Sequence, residues 1–399
     1  MNGPILIRGG RVVEPDRVRR ADVAIERGRI RAVAPDLASG REAGREAAER
    51  TARTIDASDA WVLPGLVDIH CDAIEKEVEP RPNTLFPLPM AFLQFERKLA
   101  AQGITSMFHS LSLGVGLSLR GEDLVSEMIA LIHSCREERA MIRHLIHLRY
   151  EVSHLTGLPL AQRLVRERAI DYLSFMDHAP GQGQYRRPGA FERYVMKNQG
   201  VDAEEVAQIV AELQSRRSRI DWSRLAELAA EARRKGVPIA AHDDDSPESV
   251  ERSLSLGAGI TEFPLNLETA VYASGRGLHV CVGAPNIVRG GSHDQNLRAL
   301  DAIRAGAADI ICSDYHPASL LHAVFMLEKA GLPLDQAVRM ASLHPARAMG
   351  IGDEIGSVEP GKKADLIVVR KVRDCPVVCA AFVNGSLVYE ASDYEEIGS

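Results

Sequence analysis

Eight short apolar segments, each followed by a stretch with helical spacing, constrain this chain more than any other feature. They are VDIH (67–70), ITSMFHSLS (104–112), HLIHLRYEV (144–152), DYLSFMDH (171–178), PIAAHDDD (238–245), ITEFPLN (260–266), HVCVGAPN (279–286) and DIICSDYH (309–316). An apolar strand that alternates with a helix is the pattern of βα units on a parallel sheet. Eight such units over roughly 280 residues predict an α/β fold, a (β/α)₈ TIM-like barrel. The run VAQIVAELQSRRSRIDWSRLAELAAEARRKG, with apolar residues three and four apart before a closing glycine, reads as one of its helical stretches. No repeat of solenoid or propeller period is present.

Both ends of the chain read differently. From Gly3 to about Ala60 short alternating strands are joined by turns, with a hairpin signal at Arg27-Gly28. After Leu343 the text returns to short strands, with a Gly-Lys turn and an Asn384-Gly385 hairpin signal. Neither end has a sizeable core of its own, so residues 1–62 and 352–399 are expected to complete one small β-sandwich around a barrel at 63–351. The run LASGREAGREAAERTART (37–54) is a solvated surface excursion without chemistry.

With 48 Lys and Arg against 55 Asp and Glu in 399 residues, the net charge is −7. That mild acidity leaves no electrostatic footprint for nucleic acid or an anionic membrane. Six cysteines, none in a Cys-x-x-Cys pair, point to a reducing cytosol and away from a structural zinc knuckle. The start MNGPILIRGGRVVEP has no apolar signal core, and no run approaches 18 apolar residues. The expectation is a cytoplasmic enzyme of small molecules, in homo-oligomeric form or alone.

Seven of the eight segments end in residues that bind metals or move protons: His70 with Asp72, His109, Glu151, His178, His242 with Asp243 to Asp245, Glu262, and Asp314 with His316. In a barrel all those ends converge on one face. Charge there is costly unless paired or bound to metal, and imidazole with carboxylate is the donor set of Zn²⁺ or Mn²⁺. Taken singly, a histidine at a strand end is more often a hydrogen-bonded core residue, which is the reading for His109. His70, His242 and Asp314 each close an apolar strand inside a distinctive string and read as functional.

The strings LPGLVDIHCD (63–72) and GSVEPGKKADLIVV (356–369) resemble the opening and closing signatures of the amidohydrolase superfamily. That resemblance implies a metal-dependent barrel in which His70, His178 and His242 are ligands, Glu151 is a candidate bridge and Asp314 is both ligand and general base. The usual first pair is His-x-His; here it is His70-Cys71-Asp72, so Asp72 would be the second ligand. No Lys stands at a suitable strand end to be carbamylated. His178 and His242 end the fourth and fifth segments where the superfamily places histidines on the fifth and sixth, and the sixth offers Glu262. Either the strand count is one off or the metal shell differs.

Six further strings, HCDAIEKEVEPRP, HLRYEVS, MDHAPGQGQYR, AHDDD, GAPNIVRGGSH and SDYHPASLL, resemble in order the alpha-D-ribose 1-methylphosphonate 5-triphosphate diphosphatase family of phosphonate catabolism. The resemblance implies hydrolysis of that triphosphate to a 5-phosphate and pyrophosphate, with one or two divalent metals, Zn most expected and Mn or Fe compatible. Read on their own, the loops suit an anionic substrate. NIVRGGSH offers Arg289, Gly290, Gly291 and His293, and phosphate sites of barrels often use the loops after strands seven and eight. GQGQYRRPGAF adds Gly181, Gly183, Arg186 and Arg187, whose guanidinium groups suit bidentate phosphate contacts. Lys76, Arg81 and Arg149 complete a basic set, whose bland reading is solvated loop charge or internal ion pairs. The alternatives are hydrolysis of a C–N bond with the same metal and aspartate, and a catalytically silent barrel serving as an assembly partner.

Overall fold

The computed structural model describes residues 3–37, 53–81, 84–114, 121–185, 189, 191–192, 196, 203–292 and 296–391. The N-terminal part supplies strands β1 (Ile5–Glu14), β2 (Arg17–Glu26), β3 (Arg29–Ala34), β4 (Arg53–Asp56) and β5 (Trp61–Pro64). Then come β6 (Leu66–Cys71), β7 (Ile104–Leu113), β8 (Arg143–Glu151), β9 (Tyr172–Met176), β10 (Ile239–His242), β11 (Ile260–Glu262), β12 (His279–Gly283) and β13 (Ile310–Cys312). The C-terminal part adds β14 (Leu366–Val372), β15 (Cys375–Val383) and β16 (Ser386–Glu390).

Strands β6 to β13 pair in sequence order, every neighbour parallel. The circle closes past the strand ends, where the Asp314 N–H donates to His70 O and the Asp72 N–H to Asp314 O, both at 2.9 Å. All eight apolar segments of the sequence coincide with these strands, so the strand count is not one off. The barrel interior is apolar in its lower half, where Val67, Phe108, Tyr172, Ile260 and Ile310 pack on Ala346, Met349 and Ile355. The long helical run at 206–236 differs from expectation. It is two helices, Ala203–Arg217 and Trp222–Lys235, because Asp221 caps the second by accepting from the Ser223 and Arg224 N–H groups, and Gly236 ends it at φ 70°.

The terminal strands form one sheet in the order β16-β15-β14-β5-β1-β2-β3, with β4 also on β1. Its two halves join where β5 pairs antiparallel with β14, Trp61 opposite Val369 and Pro64 opposite Leu366. One core draws on both halves: Ile7, Val12, Val23, Ile30, Leu366 and Phe382. The hairpin turns at Arg27-Gly28 and Asn384-Gly385 have positive φ at both central residues, the twist that a two-residue hairpin favours. A single residue, Gly65, leads from the small sheet into the barrel. A Cβ there would lie 2.2 Å from Thr105 Oγ1, so only glycine fits. Among the described residues no helix is long and apolar enough to cross a membrane.

Candidate metal centre and active site

The pleat of β8 decides which side chains reach the barrel interior. His147 meets Ser110 Oγ at 3.0 Å and Ser174 Oγ at 2.8 Å, and Arg149 meets Ser112, whereas Leu148 and Tyr150 pack outward in the core shared with the helices. His147, Arg149 and Glu151 therefore stand one above another on the inner face. At the strand ends the chain turns out through residues held at positive φ: Asp243 at 60°, Phe263 at 55° and Asp314 at 59°. Such backbone is strained for any side chain, least so for Asp, and strain of this kind gathers at functional sites. Backbone bonds hold each turn, with the Asp243 N–H on Glu262 O and the Phe263 N–H on Cys281 O.

Two groups of side chains able to hold a metal ion result, each with its donor atoms within 4.8 Å of one another: His70, His147 and Glu262, and above them His178, His242 and Asp243. His70 Nδ1 lies 2.9 Å from Glu262 Oε1. Asp243 Oδ2 lies 3.2 Å from His242 Nδ1 and 3.5 Å from His178 Nε2. The other side of His178, its Nδ1, is 3.2 Å from Glu151 Oε2, and its backbone N–H donates to the same carboxylate. The rings of His70 and His242 are 5.2 Å apart, so the two groups are neighbours. Arg149 spans them, with Nη1 3.2 Å from Asp72 Oδ2 and Nη2 3.2 Å from His242 Nε2.

The electrostatics are those of a crowded, nearly dry site. Burial pushes the Asp314 carboxyl up to about 8, Asp72 and Asp243 push the same way, and Arg149 offsets part of it. His178 rises to about 9: burial works against its charge, but Asp243 and Glu151 outweigh it. Asp243, though buried, is held low by His242 and His178. His70 falls well below the usual histidine range through burial and the nearby Arg149. Asp68, beneath His70, is raised by burial to about 6 even with the Ser313 N–H on it.

These residues suit a divalent cation on their own geometry. His70 Nδ1, His178 Nε2, His242 Nδ1, Asp243 Oδ2 and Glu262 Oε2 are buried and have no hydrogen-bond partner. Buried polar atoms are ordinarily paired, and five orphaned donor atoms of imidazole and carboxylate in one barrel mouth are what a Zn²⁺ or Mn²⁺ ion satisfies.

The expected site residues meet mixed outcomes. His70, Asp72, Glu151, His178, His242 and Asp314 all lie at the mouth, where Asp72 is paired with Arg149 and not with a second imidazole. Arg149, expected to meet phosphate, is buried against Asp72 and His242. Lys76 is exposed on the short helix Ile74–Val78, and Arg289 is exposed at the end of the helix Ala284–Arg289. Gly290 ends that helix at φ 80°, and its N–H is taken by Ile287 O, which corrects its reading as an open phosphate donor; Gly291 follows it. Arg186, Arg187 and His293 lie outside the described residues. His109 faces away from the interior, against Phe92 and His144. Sequence reasoning missed His147 and left Asp243 as a mere neighbour of His242. The alternation 147, 149, 151 with Glu151 was the signal for the first.

The amidohydrolase family model matches residues 205–388. An alpha-D-ribose 1-methylphosphonate 5-triphosphate diphosphatase of Escherichia coli (strain K12) is 32% identical over 375 residues, 92% of this chain and 95% of the relative. An imidazolonepropionase of Porphyromonas gingivalis (strain ATCC BAA-308 / W83) is 25% identical, with 86% and 80% covered. The crystal structure of a Xaa-Pro dipeptidase with bound methionine shares the fold at a TM-score of 0.66 and 17% identity, over 98% of this chain and all of that one. The chain therefore belongs to the amidohydrolase superfamily of hydrolases, whose members use divalent metals, and within it to the alpha-D-ribose 1-methylphosphonate 5-triphosphate diphosphatase family.

Proposed function

We propose that this protein hydrolyses alpha-D-ribose 1-methylphosphonate 5-triphosphate to 5-phospho-alpha-D-ribose 1-methylphosphonate and pyrophosphate, as a metal-dependent diphosphatase of phosphonate catabolism. The observation that carries this reading is Arg149, a buried guanidinium set among the metal-binding side chains. A neutral amide gives such a charge nothing to bind, whereas a polyphosphate takes it in fork geometry. The name of the Escherichia coli relative supports the same substrate.

His70, Asp72, Glu151, His178, His242 and Asp314 would hold the cation, Zn²⁺ by preference, and Asp243 stands ready to join them. A divalent cation bound there supplies Lewis acidity that polarises a phosphoryl oxygen and lowers the pKa of water. A cation held beside Asp314 would favour its ionised form over the protonated form that burial imposes, and Asp314, with Oδ2 beside Gly283, then accepts the proton of the water that attacks the α-phosphorus. Arg149 exchanges part of its contact with Asp72 for the phosphate and holds charge as it moves to the leaving pyrophosphate. Lys76, Arg186, Arg289, Gly291 and His293 would hold its outer oxygens.

Phosphorus NMR of the zinc-loaded protein in ¹⁸O-labelled water tests this. Pyrophosphate should appear, with ¹⁸O in the ribose 5-phosphate. An unchanged triphosphate spectrum from protein that holds metal would overturn the proposal. Hydrolysis of a C–N bond is the second reading, favoured by the likeness to an imidazolonepropionase. Dihydroorotate, hydantoin and N-acyl amino acids assayed in parallel would reveal it.

A further inference from the structure

The connection from Met176 to Ile239 is the longest between neighbouring barrel strands, and its two helices have different duties. The helix Trp222–Lys235 belongs to the barrel, with Leu225, Leu228, Ala229 and Ala232 buried in the core shared with the strands. Among the described residues the helix Ala203–Arg217 adds nothing to that core. Its Val206, Ile209, Val210 and Leu213 pack with Tyr185 and Phe191 in a small cluster of their own. What ties this helix to the mouth is its last residue. Arg217 Nε donates to Asp177 Oδ2 at 2.9 Å, and its Nη2 donates to Gln182 Oε1 at 2.8 Å.

Those two acceptors bracket the turn that carries His178. Asp177 precedes it, and the Gln182 N–H closes the turn on Ala179 O at 3.0 Å. One residue further, Gly183 lies at φ 47° against Asp243, where an added Cβ would come within 3.2 Å of the Asp243 Cβ. Tyr185 stands edge-on to His178, with 6.2 Å between ring centroids. The turn that Arg217 grips is therefore packed against both His178 and Asp243, two of the three side chains of the upper group. A guanidinium is a rigid fork, so bonds to two side chains of one turn fix their spacing.

We propose that Arg217 is a positioning residue for the metal centre: by gripping Asp177 and Gln182 it holds the turn that sets His178 Nε2 opposite Asp243 Oδ2. The inference rests on reading the mouth as a metal centre. Its rival is an ion pair that only pins a helix to the barrel. A third possibility, that Arg217 acts by charge alone, has the opposite sign, because a cation beside the site repels a divalent ion and its removal would tighten binding.

The test is the zinc affinity of the full-length protein, measured by competition with a chromophoric chelator. Arg217→Met keeps the aliphatic stem and removes the fork, and it should weaken zinc binding about tenfold at unchanged stoichiometry. Asp177→Asn should weaken it to a similar degree. The double variant should lose no more than the larger single loss, since both changes act through one turn, whereas independent effects would multiply to about a hundredfold. Unchanged or tighter binding in Arg217→Met, or losses that multiply, would refute the proposal. If Asp177→Asn does not fold, Gln182→Ala takes its place in the cycle, with a smaller loss that likewise fails to multiply. None of these readouts uses substrate, so a protein that fails the phosphorus assay can still pass them. Wild-type protein that binds no zinc would overturn the metal reading and this inference together, and variants that bind zinc like wild type would overturn this inference alone.

Discussion

Three residues apart on β8, His144 and His147 belong to two different histidine clusters, one on each side of the barrel wall. Outside, His144 Nδ1 meets His109 Nε2 at 2.9 Å and its Nε2 meets Glu96 Oε1 at 3.0 Å, with Phe92 against both rings. That cluster is a closed chain, with His109 Nδ1 as its one loose end. Inside, the mouth keeps five donor atoms without a hydrogen-bond partner and three residues at strained φ. Residue types are the same on both sides. What separates ligand from core histidine here is whether the donors have already been used by one another.

The contrast can be broken experimentally. The largest effect should come from removing metal. Dialysis against a chelator should abolish turnover, restored by Zn²⁺ or Mn²⁺, and should lower Tm by loosening the mouth, since a ligand at 100 times its Kd adds about 2.7 kcal/mol. Full turnover in metal-free protein would sink the idea that the orphaned atoms await a cation. Next, Asp314→Asn should lower kcat by about 10²- to 10⁴-fold while zinc, counted by elemental analysis, stays bound. Near-normal turnover would remove it as the base.

Arg149→Gln should cut kcat/KM about 100-fold on the triphosphate. The effect should be much smaller on any C–N substrate that the protein turns over, and an equal loss on both would reduce Arg149 to a structural ion pair. The smallest catalytic effect belongs outside the wall. Glu96→Gln should cost about 2–3 kcal/mol in urea unfolding and leave kcat unchanged. Burial works to raise the Glu96 carboxyl, yet His144 and the Met141 N–H hold it below its usual range. Folded Glu96 thus binds its proton less tightly than unfolded Glu96. Its stabilisation is complete above the ordinary glutamate value of about 4.3 and drains away as pH falls below it. A stability curve that Glu96→Gln leaves unchanged in that acid range would disprove this.

Much of the fold was legible. The eight barrel strands, both hairpin turns and the small domain built from two ends follow from apolar periodicity and from glycine at the turns. The break between Arg217 and Trp222 was hidden, because apolar spacing continues across it and only the cap at Asp221 marks it. The site was legible as a set of strand ends and less so as contacts. Telling His109 from His147 requires the pleat phase of each strand, and β6 and β7 slip register against each other twice, so that phase cannot be carried from neighbour to neighbour. Nor could loop spacing say that Gly290 would use its N–H to cap a helix, or that Arg149 would turn inward onto Asp72 and His242.

The pairing of β5 with β14 has a further meaning while the chain is being made. Strand β5 leaves the ribosome early, and its partner lies about 300 residues later, beyond the entire barrel. At roughly 10 residues per second, that exposes a bare edge of Trp61, Val62 and Leu63 for about half a minute. An unpaired apolar edge is a template for other chains. Nascent and truncated forms of this protein should therefore depend on chaperones far more than the finished enzyme does, and a C-terminal deletion through Leu366 should aggregate even with every barrel strand present.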